Sequence, residues 1–190
     1  MPTAPTTSRR AAALPPDERR AAIVEATLPL LVEHGELVTT SQIAAAAGVA
    51  EGTIFRVFPD KEALLAATLE AAMDMAPLER ALADVDPTAS FDEQLTVATE
   101  IIQQRVVDLW QLISNLGPKL REQAARPMVD SAALVRILEH PDAELIVSPA
   151  AAARTLRAVA LSMTHPMVAG DPLSAAEIVA LFLHGVRGPR

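Results

Sequence analysis

Residues 39–61 read TTSQIAAAAGVAEGTIFRVFPDK, and this stretch decides the fold. Thr39, followed three residues later by Gln42, is a capping box. Hydroxyl and amide each satisfy a backbone N–H that the start of a helix leaves bare. The pattern predicts a short helix from Thr40 to Ala47, apolar at Ile43, Ala44 and Ala47 and stopped by Gly48. Val49 fills the turn, and a second short helix runs from Glu51 to Val57. Two short helices joined through Ala-Ala-Gly-Val have the spacing of a helix-turn-helix, in which glycine permits the sharp turn and valine packs between the helices. The second helix is too short to hold its shape alone. Its neighbours must brace it, which leaves its outer face free to enter a major groove about 12 Å wide.

The same start and stop rules divide the rest of the chain. Residues about 17–34 form the preceding helix, with Ile23, Ala26, Leu30 and Leu31 on one face and Gly35 at its end. Pro29 falls inside this pattern and predicts a kink or local weakening. Pro59-Asp60-Lys61-Glu62 opens a longer helix to about Met75, which Pro77 kinks or interrupts. After the break at Asp86-Pro87, Ser90 and Glu93 form a second capping box. The helix they open runs to about Leu116, where Gly117-Pro118 stops it. A short helix follows from Lys119 to Ala125, and Pro127 precedes another that runs to about His140. Ser148-Pro149 caps a helix to about Thr164, ended by His165-Pro166, and Ser174 with Glu177 is a third capping box that opens the last helix, to about Val186. Aromatic residues make up 3% of the chain, and alternating β-branched runs and Asn-Gly or Asp-Gly hairpin signals are missing. The chain therefore reads as all-α, with about nine helices and mobile ends at residues 1–15 and 187–190.

Composition bounds the function. The 190 residues, 51% of them hydrophobic, suit one ordinary domain or a small domain leaning on a larger one. The absence of cysteine excludes disulfides, thiolate metal sites and cysteine nucleophiles. Residues 1–16 lack the apolar stretch of a signal peptide, and no apolar run reaches the roughly 18 residues of a membrane span. The expectation is a soluble, cytoplasmic protein without a membrane partner. Net charge is −8, which counts against a nucleic-acid partner. Residues 1–61, however, hold six basic and seven acidic side chains, so nearly all of the excess acidity lies further on. DNA binding needs only a local basic surface.

The stretch 39–61 resembles the DNA-binding domain of the TetR family of transcription regulators. Ile43-Ala44, Ala47-Gly48-Val49, Gly52-Thr53, Ile54, Phe58, Lys61-Glu62 and Leu64 match that family's pattern in register, and the helix from Arg19 to Gly35 fits before it. The resemblance implies a flexible arm at 1–15 and a DNA-binding domain at 16–76, with the motif at 39–58. A helical ligand-binding and dimerisation domain would occupy 77–190. It also places Thr40, Glu51, Gly52, Thr53, Phe55, Arg56 and Lys61 at the DNA, the first and last against phosphate. Three positions depart from the family. Ala50 stands where a capping serine is usual. Glu51 replaces a basic residue, so it repels phosphate unless it accepts from a cytosine amino group. Phe55 replaces a tyrosine and cannot hydrogen-bond phosphate. Arg9, Arg10, Arg19 and Arg20 are candidates to offset these losses, the first two from an arm able to reach a minor groove.

Beyond the motif the residues speak less sharply. Trp110 lies on a helix with Ile101, Ile102, Val106, Leu109 and Ile113. Met73, Gln103, Val106, Trp110 and Ser114 are candidate walls of a pocket for a small apolar ligand, with core packing the alternative for each. The four histidines are scattered, and neither a metal set nor a nucleophile–base pair appears, so no cofactor and no enzymatic activity are expected. The family pairs its last two long helices across a homodimer, which would place Leu156, Val159, Met163, Ile178, Leu181 and Phe182 in the interface. The functional reading is a ligand-responsive repressor that binds a palindromic operator as a dimer. The alternatives are a helical protein-interaction module whose motif no longer reads DNA, and a small helical enzyme.

Overall fold

The computed structural model describes residues 15–127 and 129–186. Their regular structure is helical, in eleven α-helices. In chain order these are α1 (Pro16–His34), α2 (Thr40–Ala46), α3 (Glu51–Val57), α4 (Lys61–Ala72), α5 (Ala76–Ala83), α6 (Phe91–Ser114), α7 (Pro118–Ala124), α8 (Ala132–Leu138), α9 (Pro149–Thr164), α10 (Pro166–Ala169) and α11 (Ala175–Val186). Short 3-10 turns occupy Gly35–Leu37 and Pro141–Ala143. The Arg9–Arg10 arm and the last four residues lie outside the described residues.

One expectation needs correction. Pro77 does not merely interrupt a long helix. It sits in the first turn of a separate helix, α5, where a missing N–H costs nothing. The helix that Pro127 precedes begins at Ala132, where the Ser131 hydroxyl accepts from the Leu134 N–H at 3.1 Å. Pro29, by contrast, leaves α1 continuous. Proline cannot donate to the Glu25 carbonyl, but both Pro29 and Glu25 are exposed, so water can serve the freed oxygen.

All three capping boxes form. Gln42 N–H donates to Thr39 Oγ1 at 3.2 Å and Thr39 N–H to Gln42 Oε1 at 2.8 Å. The hydroxyl and N–H of Ser90 donate to Glu93 Oε2 at 2.6 and 3.0 Å. Those of Ser174 do the same to Glu177 Oε2 at 2.6 and 2.9 Å. The serine hydroxyl first, and its N–H second, hold both carboxyls below the usual carboxylate range. A carboxyl whose pKa is lower folded than unfolded stabilises the fold fully at neutral pH. That contribution is lost as pH falls through the folded value. Titrating the melting temperature between about pH 3 and 7 is expected to show a smaller acid-side loss in Ser90→Ala and Ser174→Ala than in the parent chain.

The side chains pack into two apolar clusters. One joins α5, α6, α8, α9 and α11 around Leu82, Leu95, Leu134, Leu156, Ile178 and Phe182. The other joins α1 to α4 around Ile23, Leu31, Ile43, Ile54, Phe58 and Leu64, and it takes in Leu112, Leu116 and Leu120 from the end of α6 and from α7. The N-terminal core is thus completed by residues that follow α4 only after the whole of α5 and most of α6. Buried Thr27, Thr68 and Thr99 each donate to the carbonyl four residues back, at 2.7, 2.9 and 2.7 Å, so no hydroxyl among them is stranded.

Candidate nucleic-acid interface

The site is built on α2, α3 and the turn between them. Gly48 has φ +64°, the left-handed conformation that glycine adopts without strain. The following N–H, that of Val49, returns to the Ala44 carbonyl at 3.0 Å. Ile43, Ala44, Ile54 and Phe58 are buried and fasten the inner faces of both helices to α1 and α4. The outer face of α3 is what remains. Glu51, Gly52, Phe55 and Arg56 are exposed there, with Thr53 half-buried beside them. Ala50 begins the helix with no side-chain cap, as its sequence implies.

Arg56 makes no hydrogen bond or ion pair with the described residues and projects from the last turn of α3. The Lys61 Nζ donates to the Glu36 carbonyl at 2.7 Å. An ammonium has three protons, so this bond fixes the group at the start of α4 and leaves donors for a second partner. Thr40 and Arg20 are both engaged within the chain. The Thr40 hydroxyl donates to Glu51 Oε1, and that proton joins α2 to α3. The Arg20 guanidinium lies 4.2 Å from the centroid of the Phe58 ring, and Nη1 donates to the Val57 carbonyl at 3.4 Å. It braces the end of α3.

Sequence reasoning missed the junction behind the motif. The Asn115 amide donates to the Val32 carbonyl at 2.6 Å, and the Gly117 N–H donates to Glu36 Oε1 at 2.9 Å. Lys119 pairs with Glu62 at the start of α4. Half-buried Arg105 on α6 donates to the Ala72 and Asp74 carbonyls at the other end of α4, at 2.6 and 3.0 Å. Burial lowers its pKa, with nearby Asp108 and Asp74 opposing. Helices α6 and α7 therefore hold α4 at both ends. The partners stand 31 to 83 positions apart, and no local pattern announces such pairs.

The candidate pocket residues are only partly brought together. Gln103 donates to Thr164 Oγ1 at 3.0 Å and to the Leu173 carbonyl at 2.8 Å, so its amide ties α6 to the end of α9. Trp110 meets His165 edge to face at 6.0 Å. Val106 packs on the C-terminal cluster and Met73 on the N-terminal one. Ser114 is exposed and bonds the Gln111 carbonyl. Clefts open elsewhere. One, of about 320 Å³, lies between α4 and α7 and is lined by Glu36, Glu62, Leu65 and Lys119 among others. A groove of about 630 Å³ between α1 and α4 is lined by Val24, Leu28 and Ala67 among others. No trio of His, Cys, Asp or Glu among the described residues is placed to hold a metal ion. No described helix is long and apolar enough to cross a membrane.

The candidate interface residues differ in exposure. Leu156, Ile178 and Phe182 are at most 2% exposed within the single protomer. Val159 and Met163 are half-buried, and only Leu181 of the six is exposed. The outward residues of α9 and α11 include Ala158, Leu161, Ala180, Leu181 and Gly185.

Residues 23–68 match the family described as bacterial regulatory proteins, tetR family. No curated protein sequence matches the chain. Solved structures match it in fold. A putative TetR-family regulator from Vibrio parahaemolyticus is 18% identical, with a TM-score of 0.58 over 90% of this chain and 100% of its own. A putative transcriptional regulator from Rhodococcus sp. RHA1 is 20% identical, with a TM-score of 0.62 over 90% and 97%. The TetR-like regulator LfrR from Mycobacterium smegmatis, solved in complex with proflavine, is 22% identical, with a TM-score of 0.50 over 88% and 94%. The helix-turn-helix domain of this chain thus belongs to the tetR family, and the helices around it have the TetR fold.

Proposed function

We propose that the protein is a transcription regulator that binds a palindromic DNA operator as a homodimer, represses from it, and releases it on binding a small apolar ligand. The observation that carries this reading is the outer face of α3. It is exposed from Glu51 to Arg56 while its inner face is locked by Ile54 and Phe58. A dimer follows from the mechanism, because two recognition helices about 34 Å apart read the two half-sites of a palindrome. The small and apolar outward residues of α9 and α11 are the surface that would meet the partner. The ligand would lie along α6 near Trp110. That helix ends at Asn115, bonded to α1, so a shift of α6 would carry the DNA-binding domain with it. A ligand favouring one arrangement then changes the spacing of the recognition helices. LfrR, solved in complex with proflavine, supports a small-molecule ligand in this fold.

The test is fluorescence-anisotropy binding to DNA from upstream of the protein's own coding sequence, against a scrambled duplex, at several salt concentrations. Arg56→Ala is expected to cost about 1–3 kcal/mol on the preferred duplex only. Lys61→Ala is expected to weaken both duplexes alike and to lower the salt slope by about 1. Equal binding to both duplexes, followed by a random-library selection that enriches nothing, would overturn the reading.

A further inference from the structure

We propose that Glu51 and Phe55 are base readers, with Glu51 accepting from a cytosine amino group and Phe55 packing on a thymine methyl in the same half-site. The inference rests on the DNA-binding reading above and specifies what the protein would read.

The two side chains occupy one face of α3, a single turn apart, and both are exposed. Phe55 is 50% exposed, an unusual state for a benzyl group on a helix otherwise anchored by buried Ile54. Its ring has no hydrogen-bonding atom. Against DNA it can gain only from an apolar surface, and the C5-methyl of thymine is what a major groove offers. Gly52, one turn before it, has open space where a Cβ would stand. The backbone on that side can therefore come close to the base edges.

Glu51 carries a charge that phosphate repels, so a groove-facing carboxylate needs a compensating donor. Thr40 supplies one to Oε1, which orients the group and leaves Oε2 without a partner among the described residues. The cytosine N4 amino group is the base donor that carboxylates accept from in the major groove. Thr40 is thus a positioning residue for Glu51. Four helical residues rise about 6 Å and successive base pairs about 3.4 Å. The cytosine and the thymine should therefore stand within about two base pairs of each other.

The experiment is selection of duplexes from a random library by the full-length protein, repeated with Glu51→Gln, Thr40→Val and Phe55→Ala. The parent protein is expected to enrich a half-site containing both bases. In Glu51→Gln one position should move from cytosine toward adenine, the base that an amide pairs with, changing discrimination there by roughly 5- to 100-fold. Thr40→Val should blur the same position and no other. Replacing each thymine of the selected site by deoxyuridine removes one methyl. At one position this should weaken the parent roughly fourfold and leave Phe55→Ala unaffected. An enriched site whose preferences survive Glu51→Gln, or a methyl penalty equal in parent and Phe55→Ala, overturns this proposal alone. A library that enriches nothing for the parent overturns the DNA-binding reading together with it.

Discussion

Truncating Phe58 to alanine is expected to remove about 3–5 kcal/mol of stability, a large part of the roughly 5–15 kcal/mol that holds a domain folded. Phe58 is 1% exposed and is among the largest fully buried side chains of the N-terminal cluster. It closes α3, its N–H bonding the Ile54 carbonyl at 2.8 Å. The loss would combine the transfer of a benzyl group to water with the cavity left among α1, α3 and α4. A helix of seven residues has little stability of its own, so α3 should lose its orientation before the C-terminal cluster melts. Denaturant unfolding, followed by circular dichroism and by DNA binding in parallel, checks this. Arg20→Ala removes the guanidinium over the ring, worth about 0.5–1 kcal/mol at such an exposed site, together with its long, exposed bond to the Val57 carbonyl. A Phe58→Ala cost below that of Arg20→Ala would show that the ring does not anchor α3.

The second large effect is expected at Gly35. This residue ends α1 with φ +57° and ψ −144°, a region that glycine alone occupies without strain of about 1–3 kcal/mol. A Cβ built there would stand 2.3 Å from the Asn115 carbonyl oxygen. That atom is backbone, so no rotamer change relieves the clash, and overpacking of this kind adds about 1–3 kcal/mol. Gly35→Ala must therefore push α1 away from the end of α6. Doing so strains the Asn115 bond to Val32 and the Gly117 bond to Glu36. Gly48→Ala is the matched control. Its φ is +64°, but nothing lies within 4 Å of the added carbon. Only the strain of about 1–2 kcal/mol should remain. The difference between the two variants in thermal unfolding, beyond the difference in backbone strain, measures the contact between α1 and the end of α6, and equal losses would show that the close approach of Gly35 to Asn115 has no energetic weight.

Much of the fold and part of the site were legible in the sequence. The three capping boxes, Ser148-Pro149, Gly48 and the apolar spacing of Ile43 and Ile54 each state a local rule that a few adjacent residues satisfy by themselves. They placed α2, α3, α6, α9 and α11 and put the exposed face of α3 where it is found. Pro77 was harder to read, because the same residue ends one helix and begins another, and only the packing of Leu78 and Leu82 shows that the second forms.

What the local pattern left open depended on partners distant in the chain. Apolar periodicity marked Leu156, Ile178 and Phe182 as a buried face. It could not say whether the same protomer or a second copy buries it, because the hydrophobic effect is non-directional. The charges of Arg20, Arg105 and Lys61 and the hydroxyl of Thr40 likewise look outward in a sequence. The structure turns each toward a carbonyl, a ring or a carboxylate within the molecule. The sequence by itself determined the helices, their ends and the helix-turn-helix, since these follow from hydrogen bonds and turns within a few residues. Only the tertiary structure decided which polar groups are left to meet DNA and how α6 grips the domain that carries them, because those depend on atoms brought together from positions dozens of residues apart.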